Sequence, residues 1–480
     1  MTGITDFVVN FVKKTPFDDL PSSAVQETKR ILLDSIGCAL GGYIVSRSRI
    51  AMELVDLLGG KPQATIIGDR KTSYALAAFA NGELINALDY DVIGPLTPHV
   101  SPYVIPPILA IGERVNASGK DLITAIVLAH EIGGRIASSM VQNRIPKKEP
   151  PYYEWSPRFG FSSSVFGAVA GACKLLRLSY EQMANAFGIA GASTPVPADT
   201  KWAQTPGQAI MVKYNCWSGW VAQLATVATL AAERGFTGDT TILDGEWGFW
   251  KIYGSPFFKV ENLISDLGKV WHIEEVHYKK YPTCKLNHST IDCVNKIMQE
   301  NKINPEDIEE ILIKGDPMLL TPNRVQTEIK SFEDTQFCSA FIVALAVYHG
   351  RKPSPAWQLP STFNDPKILG LMKKVEIEIH PEAEKAIISA GIAGTVPVFL
   401  GATAQIIAGG RKFVAKVEEA RGSPSNPLTD EELIEKFRDN AGYCALGSDK
   451  VEKAIETIYR LEKIDDIKEL TALLTVSIPR

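Results

Sequence analysis

The sequence predicts a mostly α protein, built from a large all-helical domain and a smaller α+β domain inserted into it. Up to about residue 270, apolar residues recur at helical spacing in one segment after another. From Trp271 onward several segments alternate apolar and polar residues with period two, which is typical of strands. After residue 422 the helical spacing returns. We therefore predict a helical domain at 1–270, an α+β domain at 271–422, and C-terminal helices at 423–480 that pack back on the first domain.

The predicted helices of the first domain have recognisable beginnings and buried faces. Residues 24–40 repeat apolar side chains at helical spacing, and Ser118-Gly-Lys-Asp121 has the form of a capping box at the start of another helix. Segments 165–178 and 220–234 are rich in alanine and glycine and nearly free of charge. Helices that are apolar on several faces are buried by other helices, so this half is predicted to be a thick bundle.

The α+β domain is predicted from its strands. The segments with period-two alternation are 308–314, 374–380 and 411–417, and the last of these is preceded by a further predicted strand at 403–408. Gly409-Gly410 between the last two fits a tight hairpin turn. Helical runs at 290–299 and 335–348 interleave with these strands. Beyond them, Thr429 and Glu432 predict a second capping box, where the C-terminal helices begin.

Composition excludes several classes of protein. The chain has 480 residues, of which 45% are hydrophobic and 22% charged, and its net charge of −5 with scattered lysines and arginines argues against nucleic-acid binding. Its apolar runs are shorter than the ~20 residues of a membrane span. Seven cysteines lie far apart without a C-x-x-C pair, so we expect no disulfide, no zinc and a cytoplasmic location.

Two acids and a histidine follow the helical segment 73–88. Asp89 and Asp91 come directly after it, glycine and prolines then break the helix, and His99 precedes the next helix. Taken alone, the pattern also fits a polar helix end with a solvated histidine. A helix N-terminus favours the neutral imidazole, and a nearby carboxylate fixes its tautomer. His99 is therefore a candidate for proton transfer, with Asp89 orienting it.

Lysines point to two further candidate sites. Segment 279–288, Lys-Lys-Tyr-Pro-Thr-Cys-Lys-Leu-Asn-His, gathers cations and a phenol at a strand-to-helix junction, where backbone N–H groups bind anions. A solvated strand end explains Lys279 equally well, but it does not explain His288 at the helix start. Lys213 enters an otherwise uncharged aromatic stretch, so it either reaches the surface or faces an acidic ligand.

The order of several motifs resembles the MmgE/PrpD family over nearly the whole chain. These motifs are residues 81–91, 118–121, 235–245, 280–288 and 422–437. The family includes 2-methylcitrate dehydratases, cis-aconitate decarboxylases and an iminodisuccinate epimerase, which act on small polycarboxylates without a metal or organic cofactor. The resemblance therefore implies a helical domain interrupted by an α+β lid, a homodimer, and neither cofactor nor metal.

The same resemblance implies the site residues. Those expected to be catalytic are Asp89, His99, Lys213 and His288. Those expected to bind the substrate are Lys280, Tyr281, Ser162 and Phe341. At Ser162 the family has a histidine, at Phe341 it has a tyrosine, and its acid and threonine after Asp91 are Val92 and Ile93 here.

These differences predict a substrate other than 2-methylcitrate or cis-aconitate, with fewer charges or with a hydrophobic arm. The tryptophans that could line a pocket for such an arm are Trp155, Trp202, Trp217 and Trp220. The predicted activity is that of a lyase, which dehydrates or decarboxylates a small carboxylic acid through a carbanion that Lys213, Lys280 and His288 stabilise.

Three alternatives stay open at this point. The chain could be an epimerase or isomerase of a small dicarboxylate, since that reaction uses the same kind of carbanion. It could be a non-catalytic relative that only binds a ligand. It could also be a metal hydrolase with ligands from Asp89, Asp91, His99 and His288.

Overall fold

Helices make up most of the first part of the chain. The computed structural model describes residues 3–94, 99–140, 144–149, 153–156, 161–196, 199–207, 209–213, 217–393 and 399–476. Up to residue 270 the helices are α1 (Ile4–Lys14), α2 (Ser22–Gly41), α3 (Ser46–Leu58), α4 (Tyr74–Asn86), α5 (Ser101–Val115), α6 (Gly119–Ser138), α7 (Val165–Leu175), α8 (Tyr180–Ser193), α9 (Asp199–Ala203), α10 (Ser218–Glu233), α11 (Phe249–Tyr253) and α12 (Val260–Ile264). Two short antiparallel pairs accompany them, β1 (Ala64–Thr65) with β2 (Lys71–Thr72) and β3 (Arg144–Pro146) with β4 (Tyr153–Trp155). In the part of the chain that is described, no helix combines the length and the apolar composition of a membrane span.

Local signals place these helices where they were predicted. Ser118 Oγ accepts a hydrogen bond from the backbone N–H of Asp121 at 3.2 Å, which confirms the capping box at the start of α6. Helix α10 packs closely on α4 because it carries a glycine at the contact. A Cβ atom on Gly219 would lie 2.3 Å from the carbonyl oxygen of Phe79. This close approach places the middle of α4 against the first turn of α10.

The second part of the chain contains a four-stranded sheet in the order β6-β5-β7-β8. Its strands are β5 (Ile308–Gly315), β6 (Val375–Ile379), β7 (Ala402–Ala408) and β8 (Arg411–Val417). Strands β5 and β6 are parallel, and the other two pairings are antiparallel. Gly409 and Gly410 form the predicted hairpin turn, and both have positive φ, +55° and +67°, which glycine adopts without strain.

Six helices of the described residues accompany this sheet in the sequence. They are α13 (His288–Asn301), α14 (Phe332–Phe337), α15 (Ser339–His349), α16 (Pro360–Phe363), α17 (Pro366–Met372) and α18 (Pro381–Ala393). The single helix predicted over 335–348 is two helices, because Cys338 adopts an extended conformation between α14 and α15.

The chain ends in helices that contact the first domain. They are α19 (Asp430–Ala441), α20 (Ser448–Tyr459) and α21 (Lys468–Thr471). The predicted capping box of α19 is present, since Thr429 Oγ1 accepts from the N–H of Glu432 at 3.2 Å. Phe437 of α19 lies against Gly37 of α2 and belongs to the same hydrophobic core as the first helices. This packing favours the predicted return, while the boundaries at 270 and 422 remain a prediction.

The two hydrophobic cores meet at the end of α4. One core lies in the helical bundle, and the other joins α13, α15 and the sheet. Ala87, Leu88 and Tyr90, which directly follow α4, belong to the second core although they come from the first domain. The predicted first motif therefore lies at the junction of the two domains.

Candidate active site

The backbone is strained at two of the predicted catalytic residues. Asp89 and His99 have φ values of +52° and +57°, in the left-handed region that non-glycine residues rarely adopt. This conformation costs on the order of 1–2 kcal/mol per residue. At Asp89 two hydrogen bonds hold this conformation: the backbone N–H donates to Asn86 O at 3.1 Å, and the backbone carbonyl accepts from Lys279 Nζ at 2.8 Å. Strain of this kind is concentrated at functional sites.

His99 lies between two buried carboxylates. Its Nδ1 is 2.7 Å from Asp91 Oδ2, and its Nε2 is 3.5 Å from Asp89 Oδ1. The ring is only 3% exposed. The sequence suggested that Asp89 orients the ring. Asp91 makes the shorter contact, so Asp91 orients the ring instead. Because Nδ1–H donates to Asp91, Nε2 is the nitrogen placed to transfer a proton.

Asp91 is suited to hold the imidazole. Burial acts to raise the pKa of Asp91, but the charge and hydrogen bond of His99 and the charge of Lys279 outweigh burial and lower it. The other Asp91 oxygen accepts a hydrogen bond from Asn86 Nδ2 at 3.0 Å. Asp91 is therefore ionised at neutral pH and fixed from both sides.

Lys279 is a site residue, contrary to its interpretation as a solvated strand end. Its ammonium is 0% exposed and lies 2.9 Å from Asp89 Oδ1. Lys280, which the resemblance had selected, is partly exposed, and its Nζ lies 5.6 Å from the centre of the Tyr281 ring. Only one of the two neighbouring lysines thus enters the site. The cation that contacts Asp89 is Lys279.

Lys213 does not reach the surface. Its Nζ donates to Asn86 O at 3.2 Å and to Gln336 Oε1 at 2.5 Å. Burial lowers the pKa of Lys213 to about 7, aided by the charges of Arg47 and Lys279 and opposed by those of Asp89 and Asp91. Lys213 therefore interacts with the site acids, carries a positive charge below about pH 7 and loses it above that pH.

His288 is neutral, which corrects its predicted role as a cation. The ring is fully buried, and Nε2 lies 3.3 Å from Thr283 O. Burial, with the charges of Lys285 and Lys279, lowers its pKa well below the ordinary histidine value. His288 can offer a hydrogen bond or accept a proton, but it does not supply positive charge at neutral pH.

The remaining predicted substrate-binding residues, Tyr281, Ser162 and Phe341, have partners of their own. The Tyr281 hydroxyl donates to Asp292 Oδ1 at 2.6 Å, and Ser162 Oγ donates to Pro195 O at 2.7 Å. Phe341 is fully buried in the core of the α+β domain. The structure thus brings together His99, both acids and Lys279. Substrate binding by Tyr281, Ser162 and Phe341 remains a prediction.

Two aromatic rings pack around the site histidines. The Phe161 ring lies 5.9 Å from that of His99, and the Tyr281 ring lies edge-on at 5.2 Å from that of His288. Two of the tryptophans proposed for an apolar pocket lie elsewhere. Trp217 and Trp220 stack on each other at the surface, where they are 37% and 49% exposed.

The other two proposed tryptophans have packing partners of their own. The Trp202 ring lies edge-on at 5.0 Å from the Phe337 ring. The Arg144 guanidinium lies over the Trp155 ring at 5.5 Å. Each of the four tryptophans therefore has an aromatic or cationic packing partner.

Two hydrogen-bonded glutamines, Gln336 and Gln358, connect the second predicted domain to the end of α4. Gln336 Nε2 donates to Ala87 O at 2.9 Å and to Gln358 Oε1 at 2.7 Å. Gln358 Nε2 in turn donates to Leu88 O at 2.7 Å and to Pro282 O at 2.8 Å. These bonds tie the end of α4 to the segment that carries Lys279.

Lys436 of α19 binds backbone carbonyls of the two segments that carry site residues. The sequence analysis did not identify this lysine. Its Nζ pairs with Asp34 Oδ1 at 2.7 Å and donates to the carbonyls of Tyr90 and Lys279 at 2.8 and 3.0 Å. A signal was available, since Lys436 falls on the apolar face of α19 beside Phe437. One ammonium therefore fixes both segments that carry site residues.

Replacing Lys436 with methionine is expected to destabilise the protein by about 3–5 kcal/mol, because it breaks a buried ion pair and leaves Asp34 without its cation. Urea denaturation measures this loss. Arg438→Gln is the matched control, since Arg438 lies on the same helix but pairs with Glu452 at the surface. Equal denaturation midpoints for the two variants would contradict the supporting role of Lys436.

The acids and His99 could also be metal ligands. Ligand atoms of Asp89, Asp91 and His99 all lie within 4.8 Å of one another. The Lys279 ammonium, however, already lies 2.9 Å from Asp89 Oδ1, where it would repel a divalent cation. This donor set fits an ammonium better than a metal ion, and metal analysis of the purified protein separates the two.

The arrangement is suited to proton transfer next to a growing negative charge. His99 supplies a proton carrier of fixed orientation, and Lys279 and Lys213 supply positive charge within a buried region. Such fixed charges act strongly because water is excluded and little reorganisation is needed.

Comparisons with known proteins find relatives over nearly the whole chain. The family model of the MmgE/PrpD N-terminal domain matches residues 8–259, and that of the MmgE/PrpD C-terminal domain matches residues 281–463. The chain is 25% identical to the cis-aconitate decarboxylase of Homo sapiens over 99% of its length and 95% of that protein. It is 24% identical to the enzyme of the same name from Mus musculus, over 99% and 94% of the two chains. It is also 24% identical to the cis-aconitate decarboxylase of Aspergillus terreus, over 98% of its own length and 96% of that protein.

Proposed function

Because the chain belongs to the MmgE/PrpD family, we propose that it is a cofactor-independent lyase that acts on a small carboxylic acid. The observation that carries this proposal is the position of His99, with Asp91 at one nitrogen and the Asp89–Lys279 ion pair near the other. Similarity to cis-aconitate decarboxylases makes decarboxylation the first reaction to test.

In decarboxylation, the bond between the carboxylate carbon and the neighbouring carbon breaks, and its electron pair stays on that neighbouring carbon. Carbon dioxide leaves. The remaining carboxylate delocalises the charge, and His99 Nε2 delivers the proton that completes the product. The protonated ring is accommodated by Asp91 and Asp89, which lie 2.7 and 3.5 Å from its nitrogens.

Lysine ammonium groups stabilise the carbanion in this proposal. A correctly placed donor contributes on the order of 3 kcal/mol to the transition state. Lys279 is held by Asp89, and Lys213 is held by the Asn86 carbonyl and Gln336. Fixed positions mean that neither ammonium must reorganise as the charge develops.

Dehydration would use the same groups in a different order. A base removes the proton next to the carboxylate, and the hydroxyl leaves as water after it receives a proton. His99 is the candidate for one of these transfers, and neutral His288 for the other. The substrate is proposed to differ from 2-methylcitrate and cis-aconitate, because Val92, Ile93, Ser162 and Phe341 replace polar groups of the family.

Product analysis tests the proposal. The purified protein is incubated with di- and tricarboxylic acids, and products are followed by mass spectrometry. Loss of carbon dioxide identifies a decarboxylase, and loss of water a dehydratase. An inverted stereocentre at unchanged mass identifies the alternative epimerase. Tight binding without any conversion would support the non-catalytic relative and overturn the lyase proposal.

The charge of Lys213 is expected to give the reaction an alkaline limb. The pKa of Lys213 is lowered to about 7, so the ammonium is present below that pH and lost above it. Because kcat/KM reports the free enzyme, it should fall as pH rises through about 7. Lys213→Arg keeps its charge and should lose this limb.

A second lysine provides the control for this profile. Burial also lowers the pKa of Lys285 to about 7. If the limb persists in Lys213→Arg and vanishes in Lys285→Met, its assignment to Lys213 is wrong.

Homodimer formation and a cytoplasmic location also belong to the proposal. Trp217, Trp220 and Val227 form an exposed apolar surface at and along α10, which suits contact with a second copy. Sedimentation velocity of the purified protein checks this. The cysteines of the described part are unpaired thiols, which suits a reducing compartment, whereas Cys216 lies outside the described residues.

A further inference from the structure

A cavity of about 300 Å³ lies among the helices of the bundle, apart from the candidate active site. The end of α1, the start of α6, the end of α7 and the first turn of α8 contribute to it. Phe161, whose ring lies near His99, precedes α7, whereas the cavity lies at the other end of this helix. Helix α7 has 11 residues and is therefore about 16 Å long. The volume of the cavity is sufficient for a small molecule.

Cations outnumber acids among the side chains that line this cavity. The cations are Lys13, Lys174 and Arg177, and the acid is Asp121. Asp121 already serves the capping box of α6, where its Oδ2 accepts from Ser118 Oγ at 2.7 Å. In the described part of the chain, none of the three cations has a carboxylate within 4.0 Å. Three cations and one acid leave an excess of two positive charges.

Backbone carbonyls hold the two ammonium groups in place. Lys13 Nζ donates to Leu178 O at 3.0 Å, and Lys174 Nζ donates to Lys13 O at 2.9 Å. A lysine near a helix C-terminus often makes such a bond, which uses one of its three donors and leaves two for a ligand. Burial and the charge of Lys13 lower the pKa of Lys174, against the opposing charge of Asp121. An anion in the cavity would offset this repulsion between the lysines.

Arg177 occupies a backbone position that usually belongs to glycine. The Leu178 N–H donates to Cys173 O at 3.2 Å and the Arg177 N–H donates to Lys174 O at 3.1 Å, which is the Schellman motif at the end of α7. The φ of Arg177 is +54°, which is strained for a residue with a Cβ atom. A guanidinium binds phosphate oxygens through two parallel N–H groups. Ligand binding therefore gives a physical reason for arginine at a position that glycine would fill without strain.

The rest of the cavity wall is largely apolar. Phe17, Leu175, Leu178 and Met183 line it. The two leucines and Met183 are buried, and Phe17 is partly buried. Small-molecule sites typically combine such a wall with a few charged groups that fix the orientation of the ligand. The cavity thus fits a ligand with one anionic group and one apolar part.

We propose that this cavity binds a phosphomonoester with an apolar body. A phosphomonoester carries about −1.5 to −2 charges at pH 7, which matches the excess of two positive charges. Its oxygens accept hydrogen bonds from Arg177, Lys13 and Lys174, and its apolar body packs on Phe17 and Leu175. A carboxylate carries only one charge and leaves part of the excess uncompensated. This binding site does not depend on the proposed lyase activity.

Calorimetry with three probes tests the class of ligand. Phenyl phosphate, benzoate and inorganic phosphate are titrated into the purified protein. Phenyl phosphate should bind roughly 10- to 100-fold more tightly than inorganic phosphate, because its ring is buried against the apolar wall. It should also bind at least about 10-fold more tightly than benzoate, which has fewer charged acceptors.

Replacing Arg177 with glycine tests the position of the site. The variant should bind phenyl phosphate roughly 10- to 100-fold more weakly, the range expected for charged hydrogen bonds. Its thermal denaturation midpoint should not fall, because glycine adopts positive φ without strain. Arg177→Asn replaces it if the glycine variant is destabilised, since asparagine also tolerates this conformation.

Lys302→Gly is the matched control. Lys302 is an exposed cation at the end of α13 with φ +49°, and it does not line the cavity. This variant removes the same charge and the same kind of strain, and it should bind phenyl phosphate as wild type does.

Four results would overturn the proposed site. They are no binding of phenyl phosphate to wild type, equally tight binding of benzoate or inorganic phosphate, wild-type affinity in Arg177→Gly, and equal weakening in Lys302→Gly. The lyase proposal survives each of them, since it is tested by conversion of carboxylic acids. Conversely, a protein that converts no acid but binds phenyl phosphate through Arg177 keeps this site and loses the lyase proposal.

Discussion

Replacing His99 with asparagine is expected to lower kcat by roughly 10²- to 10⁴-fold, the contribution of a positioned proton carrier. Asparagine tolerates the left-handed conformation that His99 adopts at φ +57°. Its amide N–H can also donate to Asp91 in place of Nδ1–H, which spans 2.7 Å. The variant thus removes the titratable ring and keeps the local structure. Steady-state kinetics and the thermal denaturation midpoint measure the two effects.

His349→Asn is the control for this experiment, since His349 lies exposed at the end of α15 and should retain wild-type kcat. His99→Ala should lose the same activity and also stability, because alanine is strained at this φ and offers Asp91 no donor. A His99→Asn variant with wild-type kcat would show that another group transfers the proton.

Replacing Lys279 with methionine is expected to lower both activity and stability. The ammonium lies 2.9 Å from Asp89 Oδ1 and also donates to the Asp89 carbonyl at 2.8 Å. Removing one partner of a buried ion pair costs about 3–5 kcal/mol. Loss of a charge that stabilises the transition state lowers kcat by roughly 10²- to 10³-fold. Urea denaturation and steady-state kinetics measure these losses separately.

The double variant Asp89→Asn/Lys279→Met separates the two roles of Lys279. It removes both charges of the pair, so most of the stability should return. Activity should stay low, because the cation is still missing. Recovery of both stability and kcat in the double variant would mean that Lys279 only neutralises Asp89.

Sequence patterns predicted those features that local physics determines. The capping boxes at Ser118 and Thr429 depend on residues three positions apart, and the Gly409-Gly410 turn depends on two adjacent glycines. For the same reason the group of acids and histidine could be recognised, since Asp91 and His99, which are in contact, lie only eight residues apart in the sequence.

Features that depend on distant contacts were not predictable. Lys279 and Lys280 have equivalent local sequences, and only the packing of two domains decides which one reaches Asp89. Lys436 is separated by 157 residues from the Lys279 carbonyl that it supports. The burial of a charged side chain is determined by its tertiary partner, which short-range patterns do not specify.

The exposure of two tryptophans and the burial of one lysine were likewise not predictable from short-range sequence patterns. Trp217 and Trp220 were candidates for a pocket because they are large and apolar, yet they lie at the surface, at the start of α10. Lys285 was one of several lysines in a polar segment, and only its burial without a partner singles it out.

Deuterium exchange in heavy water tests most directly whether His99 passes a proton to a carbon next to a carboxylate. Proton NMR follows a panel of di- and tricarboxylic acids with wild-type protein and with His99→Asn. Wild type should introduce deuterium at one carbon adjacent to a carboxylate, either in the recovered acid or in its decarboxylated product, and His99→Asn should not. Equal exchange in both proteins, or none with an acid that wild type binds, would contradict the account.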